Sequence, residues 1–175
     1  NHVTVPAPVR AIMSDENVRI DAFLGPSHVS VITGSKIYKE LADEFKRPIA
    51  ISGFEPLDIM ASVLNLVRQQ NAGTYEVYNE YARAVKEEGN VKAKELIAKY
   101  FEPCDFVWRG LGEIAQSGMK LRDEFAYLDA RVQFDCSVES AGESKACICG
   151  QILRGLAKPT DCKVFGKVCN PQNPI

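Results

Sequence analysis

Four cysteines, Cys147, Cys149, Cys162 and Cys169, crowd the last thirty residues in the pattern C-x-C-x12-C-x6-C, while only Cys104 and Cys136 occur elsewhere. Thiols packed this densely exceed what a core needs and point to metal binding or redox chemistry. Zinc ribbons pair their cysteines as C-x2-C, because two intervening residues let one turn place both sulfurs on a tetrahedral ion. The present spacing departs from that. Iron–sulfur clusters accept more varied spacings, since each thiolate meets a different iron. Zinc and buried structural thiols stay open as alternatives. A glycine-bounded helical stretch, Gly150 to Gly155, spaces the first pair from Cys162, and Lys145, Arg154, Lys158, Lys163 and Lys167 surround the array to offset thiolate charge.

A second set of candidates lies earlier. Gly25-Pro26-Ser27-His28 and Gly53-Phe54-Glu55-Pro56-Leu57-Asp58 are turn motifs, each preceded by an apolar run. His28 titrates near neutral pH, and Glu55 and Asp58 stand three residues apart at a helix start, roughly on one face. Together they suit cation binding or proton relay. The bland alternative is turn chemistry, with the acidic residues merely favouring a helix dipole.

The elements that must position these residues alternate in type. Arg19–Leu24 reads as a strand ended by Gly25-Pro26, with a helix to follow. Ser35 caps a helix from Lys36 to about Phe45, with Ile37, Leu41 and Ala42 on one face. Ile49–Ile51 is a second strand. Pro56 opens a helix to about Gln70, along which Leu57, Met60, Leu64 and Val67 make an apolar stripe. Thr74–Tyr81 is a third strand, and Asn90 caps a helix over Val91–Phe101 with Val91, Leu96, Ile97 and Tyr100 buried. Asp105–Trp108 closes the unit as a fourth strand. Such alternation argues for an α/β fold, a small Rossmann-like parallel sheet flanked by helices, followed by an irregular cysteine-rich C-terminal region from Gly110 onward. In that layout both turn motifs fall at the carboxyl ends of parallel strands, where open α/β sheets bind ligands.

Composition excludes other classes. The 175 residues are 46% hydrophobic and 25% charged, enough for a substantial core. A net charge of -2 with interspersed signs leaves no basic footprint for nucleic acid. No apolar run approaches the roughly 18–20 residues that span a bilayer, so no membrane is expected and a cytoplasmic location is. In that reducing compartment clustered cysteines bind metal or do chemistry rather than form a disulfide framework. The ends, Asn1 and Asn173-Pro174-Ile175, suggest a piece of a longer protein.

The runs GPSHVSVITGSKIY (Gly25–Tyr38), SGFEPLDIM (Ser52–Met60), WRGLGEIAQSGMKLRDEFAYLDA (Trp108–Ala130) and CICGQILRGLAKPTDCKVFGKVCNP (Cys147–Pro171) resemble the HypD family of hydrogenase maturation. The resemblance covers nearly the whole chain. It implies a redox-active scaffold for assembling the Fe(CN)2CO unit of nickel–iron hydrogenases with a HypC-type chaperone and a HypE-type cyanide donor, handling iron transiently. It also implies a 4Fe-4S cluster toward the C-terminal end. On that pattern Cys147, Cys162 and Cys169 match cluster ligands and Cys149 a neighbouring redox thiol, while His28, Glu55 and Asp58 match the GPxH and GFEPxD motifs of the ligand or partner crevice. Cys104 and Cys136 match no motif. The family pattern further includes GPGCPVC-type cysteines in an N-terminal domain and a fourth cluster cysteine after the position of Ile175, neither of which this sequence contains. Residues 1–19 then read as a connecting segment, 20–110 as the α/β domain and 111–175 as a partial iron–sulfur region. The alternative is a zinc-binding or metal-free α/β interaction module.

Overall fold

The structure, a computed structural model, describes residues 4–134 and 144–175. His2 and Cys136 lie outside them. Two compact units result, one built from Ile20–Lys99 and the other from Asn1–Arg19 together with Tyr100–Ile175. Pro6 suits the first helical position because its fixed φ is already helical and its missing N–H would be unpaired there, and α1 (Pro6–Met13) starts with it in the second of these units.

In the Ile20–Lys99 unit, β1 (Phe23–Pro26) leads to α2 (Ser27–Thr33) and α3 (Ile37–Phe45), then β2 (Ile49–Ser52), α4 (Pro56–Ala72), β3 (Val77–Asn79) and finally α5 (Val91–Tyr100). The sheet order is β1-β2-β3, all parallel, with Phe23 beside Ile49 and Ile49 beside Val77. The expected α/β class with a parallel sheet flanked by helices is what forms. A parallel strand covered on both faces is a continuous apolar run, and central β2 is buried at all four positions. Tyr38, Leu41 and Ala42 from α3, Leu66 from α4 and Val85 complete its core. Each large side chain buried there contributes about 2 kcal/mol. The Asn90 carboxamide accepts from the Ala93 N–H at 3.0 Å, capping α5 as its sequence suggests.

Two helices differ from expectation. The apolar stripe of α4 points away from the sheet: Leu57, Met60, Leu64 and Val67 are exposed, and the residues it buries are Asp58, Ser62, Leu66 and Gln69. Polar pairing overrides periodicity here. The Gln69 side chain accepts from the Glu76 N–H at 2.7 Å and donates to Asn65 at 2.7 Å, which pins the polar face inward. Likewise Val91, Leu96 and Ile97 of α5 are exposed rather than buried, because periodicity marks a face to be covered and not what covers it.

The other unit corrects the expected fourth strand. Residues 105–108 belong to β4 (Phe101–Trp108), which pairs antiparallel with β5 (Gly112–Leu121) in a separate two-stranded sheet. β5 lies where irregular structure was expected. Its pattern is hidden by a register break between Cys104 and Phe106, opposite which Gln116 takes a positive φ of 54° and its N–H meets the Asp105 carboxylate at 2.9 Å. Between those registers β5 carries three residues, 115–117, against the single Asp105 of β4, and the buried set becomes Ile114, Ser117 and Gly118, so strict alternation fails. Ser117 ties the hairpin together: its hydroxyl accepts from the Trp108 indole at 2.7 Å and donates to the Ile114 carbonyl at 2.7 Å. Beyond a short α6 (Ala130–Gln133) and α7 (Cys149–Leu153), the described C-terminal residues are mostly turns. Among the described residues no helix is long and apolar enough to cross a membrane.

Candidate functional site

At the carboxyl end of β2, Pro56 restricts the residue before it to extended backbone, and Glu55 sits there at φ -71°, ψ 146° as the N-cap of α4. One turn later Asp58 faces inward. The loop after β3 folds back onto β2 through the Glu80 and Tyr81 N–H groups, which both donate to the Ile51 carbonyl at 3.1 and 3.3 Å. That return delivers Arg83. Its guanidinium donates from Nη1 to Asp58 Oδ1 at 3.1 Å and from Nη2 to Asp58 Oδ2, while Nη2 also reaches Glu55 Oε2 at 3.1 Å. Its Cζ lies 4.0 Å over the Tyr81 ring centroid. A planar fork matches a carboxylate in two parallel bonds and stacks on an aromatic face, which lysine cannot do.

The Arg83 hydrogen bond, reinforced by one from Glu55, holds the Asp58 carboxyl below the usual carboxylate range, and Asp58 in return raises Arg83. Gly53 is required beside this pair. A Cβ there would lie 1.9 Å from Asp58 Oδ2 and 2.7 Å from the Tyr81 ring. At the end of β1, the exposed His28 packs its ring against Phe54 at 5.5 Å between centroids. Below it Ser30 donates to the Pro26 carbonyl at 2.7 Å and meets the buried Tyr38 hydroxyl at 3.1 Å, fixing α2 on α3.

The cysteine array occupies the other unit. Gly150 and Gly110 approach so closely that a Cβ on Gly150 would lie 2.3 Å from the Gly110 carbonyl oxygen. This contact seats the start of α7 beside Arg109. Cys149 is exposed, and Cys147, Cys162 and Cys169 are half-buried. The Cys149 thiol is pushed up, first by its hydrogen bond with Cys147, then by burial and by the Cys147 and Cys162 sulfurs, with Arg109 opposing. Cys162 Sγ lies 4.0 Å from the Ala146 carbonyl. Cys169 closes a turn, its N–H donating to Val164 and its carbonyl accepting from Gly166, both at 2.9 Å. Thiolates are suitable ligands for an iron–sulfur cluster or zinc, yet among the described residues no three His, Cys, Asp or Glu side chains are arranged to hold a metal ion. The array supplies donors without a closed coordination shell, so no chemical step is derived through a cluster.

The geometry therefore joins Glu55 to Asp58 through Arg83, sets His28 against Phe54, and pairs Cys147 with Cys149. Sequence reading missed both arginines. Arg83 lies just past the third strand, where the strand-end rule points, and Arg109 lies inside the run beginning at Trp108. Arg154, expected beside the thiolates, instead pairs with Asp15 at 3.5 Å.

A family model described as HypD, hydrogenase formation hypA family, matches residues 1–175. The hydrogenase maturation factor HypD2 of Bradyrhizobium diazoefficiens is 47% identical over 182 residues, covering 100% of this chain and 48% of that protein. The HypD factors of Rhizobium leguminosarum bv. viciae and Cupriavidus necator are 46% and 45% identical, over 100% and 99% of this chain and 47% and 48% of their own lengths. The chain thus spans about half the length of the curated relatives it matches. Matched from end to end at these identities, it belongs to the HypD family of hydrogenase maturation factors.

Proposed function

We propose that this chain works, as part of a longer polypeptide, in a redox-active scaffold that assembles the Fe(CN)2CO unit of nickel–iron hydrogenases with HypC-type and HypE-type partners in the cytoplasm. In this reading Cys147, Cys162 and Cys169 supply three thiolates to a 4Fe-4S cluster, Cys149 is the neighbouring redox thiol, and iron passes as cargo. The Glu55–Asp58–Arg83 group and His28 form the crevice that receives a partner or ligand. What supports the reading is the family match from end to end together with the C-x-C-x12-C-x6-C array. Cys149, exposed and hydrogen-bonded to Cys147, is accessible to exchange chemistry.

Its test is anaerobic reconstitution of the family-length protein with iron and sulfide. The expected product is brown and holds about four irons, the number in a cubane cluster, and Cys162→Ala abolishes it. A colourless protein that binds one zinc, with Cys162→Ala unchanged in iron content, overturns the cluster assignment in favour of the zinc module.

A further inference from the structure

From Leu57 to Val67 the outward face of α4 is apolar, and Gln70 and Asn71 end it at the C-terminal side. Leu57, Ile59, Met60, Val63, Leu64 and Val67 occupy an arc of roughly 160° on a helix of 3.6 residues per turn. Leu57 is 78% exposed, Met60 68% and Val67 51%. Asp58 and Arg68 are the helix's only ionic residues, and neither lies in this arc. The arc cannot simply roll inward. Asp58 is held by Arg83, and Gln69 by the Glu76 N–H and Asn65. Monomeric proteins rarely expose contiguous apolar patches beyond a few hundred Å², so a face pinned outward and composed in this way is suited to being covered.

We propose that this face is the docking surface for the remaining half of the family polypeptide. The relatives are about twice as long as the chain, so a partner of comparable size is covalently present in each of them. Tethering makes docking intramolecular at high effective concentration, which suits a face with no charged residue to steer a separate partner. The arc also begins at Leu57, between Glu55 and Asp58 in sequence and close to exposed Phe54. Docking there places the other half next to the carboxylate–arginine group and makes α4 the structural link between that half and the crevice.

The test joins the chain to the half of the Bradyrhizobium diazoefficiens HypD2 polypeptide that it does not match, and compares Met60→Cys and Val67→Cys for maleimide labelling, read by peptide mass, in the joined protein and in the chain alone. Labelling is expected to slow about tenfold or more in the joined protein, independently of protein concentration, with matching slowing of α4 amide exchange in the unsubstituted proteins. Equal labelling in both overturns the proposal. So does protection in the chain alone that grows with concentration, which identifies a second copy as the occupant, or protection that needs an added maturation protein. A measurement on the chain alone stands beside it: Met60→Lys/Leu64→Lys should remove most binding of an apolar fluorescent dye while leaving the circular-dichroism melt unchanged. Unchanged dye binding, or a collapsed melt showing the face to be core, also overturns the proposal.

Discussion

The strand-end group and the cysteine array carry the two candidate chemistries of this chain, and they differ in completeness. Around Arg83 the main contacts come from the same unit: Asp58 and Glu55 take the guanidinium, Tyr81 supports it, and Gly53 leaves room. Around Cys149 the thiols interact with one another, and a single arginine offsets them. The first is an ion-paired structure held by its own contacts. The second is a donor set whose meaning depends on what it binds. Closeness of functional side chains is therefore not enough to define a site; the deciding property is whether their hydrogen-bonding and coordination capacity is already consumed.

The largest test of that contrast is Gly53→Ala. The new Cβ would displace the Asp58 carboxylate or the Tyr81 ring, and a cost of about 2–3 kcal/mol in urea unfolding is expected, in the range of overpacked sites. Cys162→Ser in the metal-free protein, by comparison, should cost less than about 1 kcal/mol, because nothing rigid depends on its sulfur. Equal losses would erase the distinction. Next, Arg83→Ala should lower the thermal midpoint by several degrees, and Arg83→Lys should recover only part of it, since an ammonium cannot reproduce the two parallel bonds.

Acid supplies a third test. Asp58 is held low in the folded protein, so its contribution is fully present above the unfolded aspartate value of about 3.9 and is lost as pH falls through the lower folded value. The melting midpoint should drop more steeply below about pH 4 in the unsubstituted protein than in Arg83→Ala. Identical acid slopes would show the pair to be uncoupled from folding. The smallest effect is expected at the array. Because Cys147 raises the Cys149 thiol, Cys147→Ala should speed alkylation of Cys149 at neutral pH by about two- to fivefold, and Arg109→Ala should slow it. A rate indifferent to both would break the interacting set into independent thiols.

Much of the Ile20–Lys99 unit was legible because its cues are local. Ile49–Ile51 is apolar throughout, Pro56 opens a helix, and Asn90 caps one. The β4–β5 hairpin was not, since two extra residues on β5 opposite Asp105 destroy the alternation that marks a strand. Glu55 and Asp58 were visible as a pair. Arg83 was not visible as their partner, because it is 25 residues from Asp58 and reaches it only through the return of the loop onto Ile51.

The amino-acid order by itself determined that four thiols crowd one end of the chain, that two turn motifs follow two apolar strands, and that one face of α4 is apolar. Only the tertiary structure decided which way those features point. It turned the apolar face of α4 outward, because the polar face opposite has buried partners that would otherwise go unpaired. It committed two carboxylates to one arginine and left the thiols with each other. Local sequence sets what each side chain can bond; chain return sets what it meets.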